Sequence, residues 1–183
     1  MNPLLQRLGR DHAGLVQLLN LLEAMLDRFH AGDEPDYDVI AEILEYMESY
    51  ADEIHHPSED LIYKRLIEIG EGGHDVLSVL SKQHDVLHQV TKDFRTAIEG
   101  ILNEEVIRRD EVEAQGRDLI ETLRQHMVLE DTVAFPLALE KLAEDDWRVL
   151  IETAPDDNDP IFGKPDPARF SSLYHLLIEQ TKP

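Results

Sequence analysis

Three pairs of residues stand four apart in this chain: His55 with Glu59, His84 with His88, and His126 with Glu130. On a helix, side chains four apart leave from nearly the same side, one turn above the other, so each pair can aim two donors at one point. Imidazole nitrogen combined with carboxylate oxygen is a donor set for iron, manganese or zinc. His12 adds a lone imidazole near the N-terminus.

The elements that must carry these residues read as helices. Apolar residues recur at helical spacing from Leu4 to about Phe29, Tyr37 to Ile69, His74 to Ile101 and Glu104 to Leu142, with breakers at "HAGDEPDYD" and "GEGG". No stretch shows the period-two alternation of a strand. Short connections between long helices predict an all-α fold, an antiparallel up-down-up-down four-helix bundle over residues 1–145. Residues 146–183 read as a short C-terminal extension, irregular through "APDDNDPIFGKPDPARF" and then helical near Ser171 to Glu179, packing through Ile161, Phe162 and Phe170.

Heights along such a bundle follow from a rise of about 1.5 Å per residue. His12 lies about as far before the first turn as His55 lies after it, and His55 and the His84–His88 pair flank the second break similarly. His126 meets them with a few residues of slack at the third turn. The spacing also repeats: His12 to His84 spans 72 positions, and both His55 to His126 and Glu59 to Glu130 span 71. A lone histidine on a helix is most often a hydrogen-bonded core or surface residue. Five at one level, with two glutamates at a repeated offset, predict a dinuclear site about a pseudo-twofold axis.

His88 is the exception to the repeat, because its counterpart is Val16. His56 and Asp60 form another four-spaced pair, turned by about 100° from His55 and Glu59. Their counterparts are Met127 and Asp131, so they are assigned a supporting or solvent-facing role. His30, His74 and His175 are assigned no ligand role. Pro57 removes one helical hydrogen bond beside the site and predicts a bend there, and Pro136 a kink or stop beyond it.

Composition narrows the classes of function. With 17 basic against 39 acidic residues and a net charge of −22, the chain has no basic surface for nucleic acid or anionic membranes. The absence of cysteine excludes disulfides, thiolate nucleophiles and thiolate-held clusters. With no apolar run of membrane-spanning length, a cytoplasmic protein is expected.

The motifs "DHAGL", "HHPSED", "QHDVLH", "HMVLED" and "TVAFP", in this order over about residues 1 to 145, resemble the hemerythrin-like family of HHE cation-binding domains. The resemblance implies two non-haem iron ions with an oxo or hydroxo bridge. His12, His55, His84, His88 and His126 would be imidazole ligands and Glu59 and Glu130 the bridges. One iron would take His12 and His55, the other His84, His88 and His126. Five imidazoles, two bridging carboxylates and one bridging oxygen fill all but one position of two six-coordinate ions, and the open one suits O2 or another small diatomic ligand. Leu15, Leu19, Leu87, Leu123 and Met127 are the expected apolar wall.

Oxygen-carrying hemerythrins place an aspartate five residues after the last histidine, whereas the repeat here favours Glu130 over Asp131. This departure counts against reversible O2 carriage more than against di-iron binding, and a carrier or sensor is still the first expectation. The alternative is a di-iron redox enzyme or iron donor acting on peroxide, NO or damaged iron centres. No flavin or nicotinamide motif is present, so an electron donor would be a separate partner.

Overall fold

The computed structural model describes residues 2–70 and 72–180, and among them no strand occurs. Helix α1 (Pro3–His30) opens on Asn2, whose side chain accepts from the Leu4 and Leu5 amides, with Pro3 in the first turn. Helix α2 (Tyr37–Tyr46) opens on Asp36, which accepts from the Val39 amide. It runs on through a π-helical segment, Met47–His55, into α3 (His56–Ile69). The stop is Gly70, in the left-handed region at φ 72° that glycine tolerates best.

Helix α4 (His74–Leu102) is regular throughout and lies along α2, α3 and α5 (Arg109–Leu129). Helix α5 also packs on α1, and it continues through a second π-helical segment, Glu130–Ala134, into α6 (Phe135–Lys141). Both π segments stop just short of a proline, Pro57 or Pro136, in the first turn of the α-helix that follows. There the amides of His56 and Phe135 reach back five residues, to the carbonyls of Ala51 and Glu130. The expected bends are thus π turns, which re-phase the helix by one extra residue instead of ending it.

The extension is more ordered than expected. Glu144–Thr153 forms a helix, α7, that was not expected, just before the stretch read as irregular. Its first turn carries Glu144, Asp145 and Asp146, favourable beside a helix N-terminus, and Asp146 accepts from the Ala143 amide at 2.9 Å. Helix α8 (Ser171–Gln180) matches the expected last helix. Ile161 and Phe170 are buried as foreseen, whereas Phe162 stays partly exposed. Its ring rests on Gly14, so close that a Cβ there would lie 2.6 Å from Phe162 Cδ2.

The core consists of two apolar clusters. One includes Leu15, Met47, Tyr50, Ala51, Leu87 and Met127, and the other Leu8, Ile62, Leu80, Phe135 and Ala138. His12 falls between Leu8 and Leu15, Glu59 between Ala51 and Ile62, His84 between Leu80 and Leu87, and Glu130 between Met127 and Ala134. Each helical stretch crosses from one cluster to the other at its candidate ligands, so a polar layer is sealed between two apolar ones. Among the described residues, no helix is long and apolar enough to cross a membrane.

Candidate metal centre

That layer brings together His12, His55, Glu59, His84, His126 and Glu130, all buried. It does not take in His88. His88 is 54% exposed in its side chain and places Nδ1 2.7 Å from Asp52 Oδ2. Its place is filled by His56, which is buried and stacks on His84 with ring centroids 4.3 Å apart. The physical reason is that His56 shares a helix face with Glu59, three residues on, and the wider π turn ending at His55 narrows the angle between the two neighbouring histidines so that both face inward. Helix α4 has no such insertion, so one turn beyond His84 its inner face is already apolar, at Leu87.

The donors fall into two sets whose candidate ligating atoms lie within 4.8 Å of one another: His56, Glu59, His84 and His126, and His12, His55 and Glu59. Three imidazoles fall in one set and two in the other, with His56 standing where the resemblance implied His88. Glu59 belongs to both sets. Its Oε1 lies 3.3 Å from His12 Nε2 and 3.2 Å from His55 Nε2, and its Oε2 3.4 Å from His84 Nε2. Glu130 Oε2 lies 3.3 Å from His12 Nε2, and Oε1 3.0 Å from His126 Nε2 and 3.7 Å from His84 Nε2.

Every imidazole is held from behind through Nδ1. The hydrogen-bond partners are Asp131 for His12 at 3.0 Å, Asp11 for His55 at 3.1 Å, Asp52 for His56 at 3.1 Å and Gln83 for His126 at 3.0 Å, whereas His84 Nδ1 lies 3.2 Å from Asp60 Oδ1 in an ion-pair contact without hydrogen-bond geometry. An Nδ1–H donated to the four hydrogen-bonded oxygens leaves Nε2 with its lone pair facing the site and raises its basicity. Asp11 and Gln83, each directly before a site histidine, were not singled out from the sequence; a polar residue next to a ligand was the available signal. Asp60 and Asp131 take the supporting role expected for Asp60.

Tested against a pair of cations, these residues fit. Nε2 of His12, His56, His84 and His126, both oxygens of Glu59 and Glu130 Oε2 are buried without a hydrogen-bond partner. Such atoms are costly when left unpaired, and imidazole and carboxylate donors meeting at one place are what iron, manganese or zinc accepts. Without a cation, protons must hold the layer together. Burial pushes the His12 imidazole down, but bonds to Asp131, Glu130 and Glu59 lift it to about 12. His84 rises against burial to about 11 through Asp60, Glu130 and Glu59, and His55 to about 9 beside Glu59 and Asp11.

His56 behaves oppositely. Burial, with the neighbouring His84 and His55, outweighs Asp52 and brings it down to about 4. Burial disfavours the charge on Glu59 and Glu130, yet the surrounding histidines hold both carboxyls below the ordinary range. Tyr63, buried and packed against His84, donates its hydroxyl to Glu130 Oε1. Burial and the charges of Glu59 and Glu130 push its phenol far up, so the donor keeps its hydrogen.

An all-helical fold closed around a buried layer of imidazoles and carboxylates defines a cation-binding helical protein. The family model of the hemerythrin HHE cation binding domain matches residues 4–138, and the chain belongs to that family. No match to a curated protein or to a solved structure was found.

Proposed function

We propose that this chain is a non-haem di-iron protein that reversibly binds O2 or another small diatomic ligand, as a carrier or sensor, in an up-down-up-down four-helix bundle. The observation that carries it is the inward convergence of buried, unpartnered Nε2 atoms and carboxylate oxygens into two sets that share Glu59. Iron held there by His12, His55, His56, His84, His126, Glu59 and Glu130 would supply a redox couple and a place for a small ligand.

The chain's own residues do the rest. Asp131, Asp11, Asp52, Asp60 and Gln83 fix the imidazoles with Nε2 inward. One set has two imidazoles and the other three, so the two positions are chemically inequivalent. The cluster containing Leu15, Leu19, Leu87, Leu123 and Met127 begins within one turn of His12, His84 and His126 and keeps bulk water from that side. A dry surrounding favours retention of a neutral diatomic ligand over loss of charge to solvent. The cytoplasm is the proposed location.

A second reading, a redox enzyme or iron donor served by a separate electron donor, has its own support. Asp131, hydrogen-bonded to His12, is 53% exposed in its side chain, so a hydrogen-bonded route leads from the layer to water, and Asp60, 3.2 Å from His84 Nδ1, is 42% exposed. Such a route suits proton-coupled electron transfer.

The deciding experiment is metal content per chain after chelator-free purification, with the optical spectrum followed through anaerobic reduction and O2 exposure. About two irons with a reversible visible band support the carrier or sensor; two irons that oxidise once and stay oxidised support the redox reading. No bound metal after reconstitution overturns both.

A further inference from the structure

The internal repeat pairs Glu59 with Glu130 and, at the same offset, Tyr63 with Ala134. This pair breaks the symmetry of the layer. Tyr63 is 1% exposed, stands one turn beyond Glu59 on α3, and reaches across the layer to donate its hydroxyl to Glu130 Oε1. Ala134, one turn beyond Glu130 and fully buried, has no group with which to return the contact to Glu59. Both oxygens of Glu59 accordingly lack a partner, whereas only Oε2 of Glu130 does.

The oxygen Tyr63 occupies faces a particular side. Glu130 Oε1 looks toward His126 and His84, in the three-imidazole set, and Oε2 toward His12, in the two-imidazole set. From this asymmetry we infer that Tyr63 makes Glu130 a one-oxygen ligand, bound through Oε2 to the cation at His12 and His55, and leaves Glu59 as the carboxylate serving both positions. A buried hydroxyl on a carboxylate is a strong charge-assisted bond in a place where water cannot replace it. The hydroxyl takes one lone pair of Oε1 and makes that oxygen a weaker donor to a cation at the three-imidazole position, and three imidazoles make that position the less dependent on Glu130. The inference rests on the two-cation reading above.

The test is stepwise binding of cobalt(II) to the metal-stripped chain, read by calorimetry and by visible d–d absorption. Wild type, Tyr63→Phe, Glu59→Gln and Glu130→Gln are compared, with His12→Ala as a background that isolates the three-imidazole position. Tyr63→Phe keeps the ring and removes one oxygen. It is expected to tighten cobalt at the three-imidazole position ~tenfold, on the scale of one charge-assisted hydrogen bond, and to leave the other position within about threefold. Glu130→Gln should lose the weaker cobalt and keep the tighter one, while Glu59→Gln weakens both.

Unchanged affinity in Tyr63→Phe, or equal effects of the two glutamate substitutions, would overturn the inference and leave the two-cation reading standing. Wild-type chain that binds no cobalt would overturn that reading, and the inference with it. Should a glutamine variant fail to fold, the Tyr63→Phe comparison decides alone.

Discussion

The imidazoles of His56 and His84 lie stacked, their centroids 4.3 Å apart and their planes 15° from parallel. Two adjacent rings on different helices thus present donors to one cation position, with Asp52 and Asp60 behind them. His88 touches the same Asp52 from outside, through its other oxygen. His56→Ala is therefore expected to lower metal content by about one equivalent per chain. His88→Ala should retain both equivalents and lose at most about tenfold in affinity, the lower end for groups that act through a ligand's partner. Elemental analysis with competitive chelation measures both; the reverse pattern would make His88 the ligand.

Metal removal should make stability depend on pH in both directions. His55 has a folded value near 9 against 6.5 unfolded, so its contribution is complete below about pH 6.5 and is lost as pH rises through 9. His56 runs oppositely: with a folded value near 4, it withdraws stability as pH falls from 6.5 toward 4. Glu59, held below its ordinary range, adds to the acid-side loss as pH falls toward its lowered value. The metal-free chain should melt highest between about pH 6.5 and 9. Scanning calorimetry on both forms is the check, and equal melting temperatures with and without metal would contradict the site.

Cation binding must also displace protons, since His12 and His84 hold theirs to about 12 and 11 in the cation-free layer. Proton release is expected on loading at pH 7, and apparent affinity should rise with pH. Calorimetry in two buffers of different ionisation enthalpy detects the release; identical heats would exclude it.

Pro57→Ala restores an amide hydrogen just after the Met47–His55 π segment. The restored donor favours a return to regular α-helix, which would turn His56 from the layer. Metal retention against a chelator should fall several-fold while helix content by circular dichroism stays constant. Unchanged retention would show that the π turn is held by packing alone.

Gly14→Ala drives a methyl group into the ring of Phe162. A loss of about 1–3 kcal/mol in denaturant unfolding is expected, the usual cost of overpacking. Phe162→Ala should relieve most of it in the double variant, so the two changes are non-additive. Additive effects would mean that the extension does not rest on α1 there.

Much of this architecture is legible from local pattern. The ends of α1 and α8, the breaks at Gly32 and Gly70, and the level shared by His12, His55, His84 and His126 follow from capping, glycine and spacing. Helix α7 escaped the reading because its Asp-rich start resembles a loop until Leu150 is buried against the bundle. His56 escaped because its phase depends on a π turn, although a His-His-Pro run inside a helix was a sign of irregular geometry.

The division has a physical basis. The sequence by itself determined which donor types are present, how far apart they stand along each helix, and that apolar residues above and below would bury them, because all of these depend on rise per residue and on side-chain chemistry. Only the tertiary structure decided that His55 and His56 both turn inward while His88 does not, and that Tyr63 reaches across to Glu130. Rotation about a helix axis accumulates through every backbone hydrogen bond before a residue, and a single switch to five-residue bonding changes it by more than the angle that separates a ligand from a surface side chain.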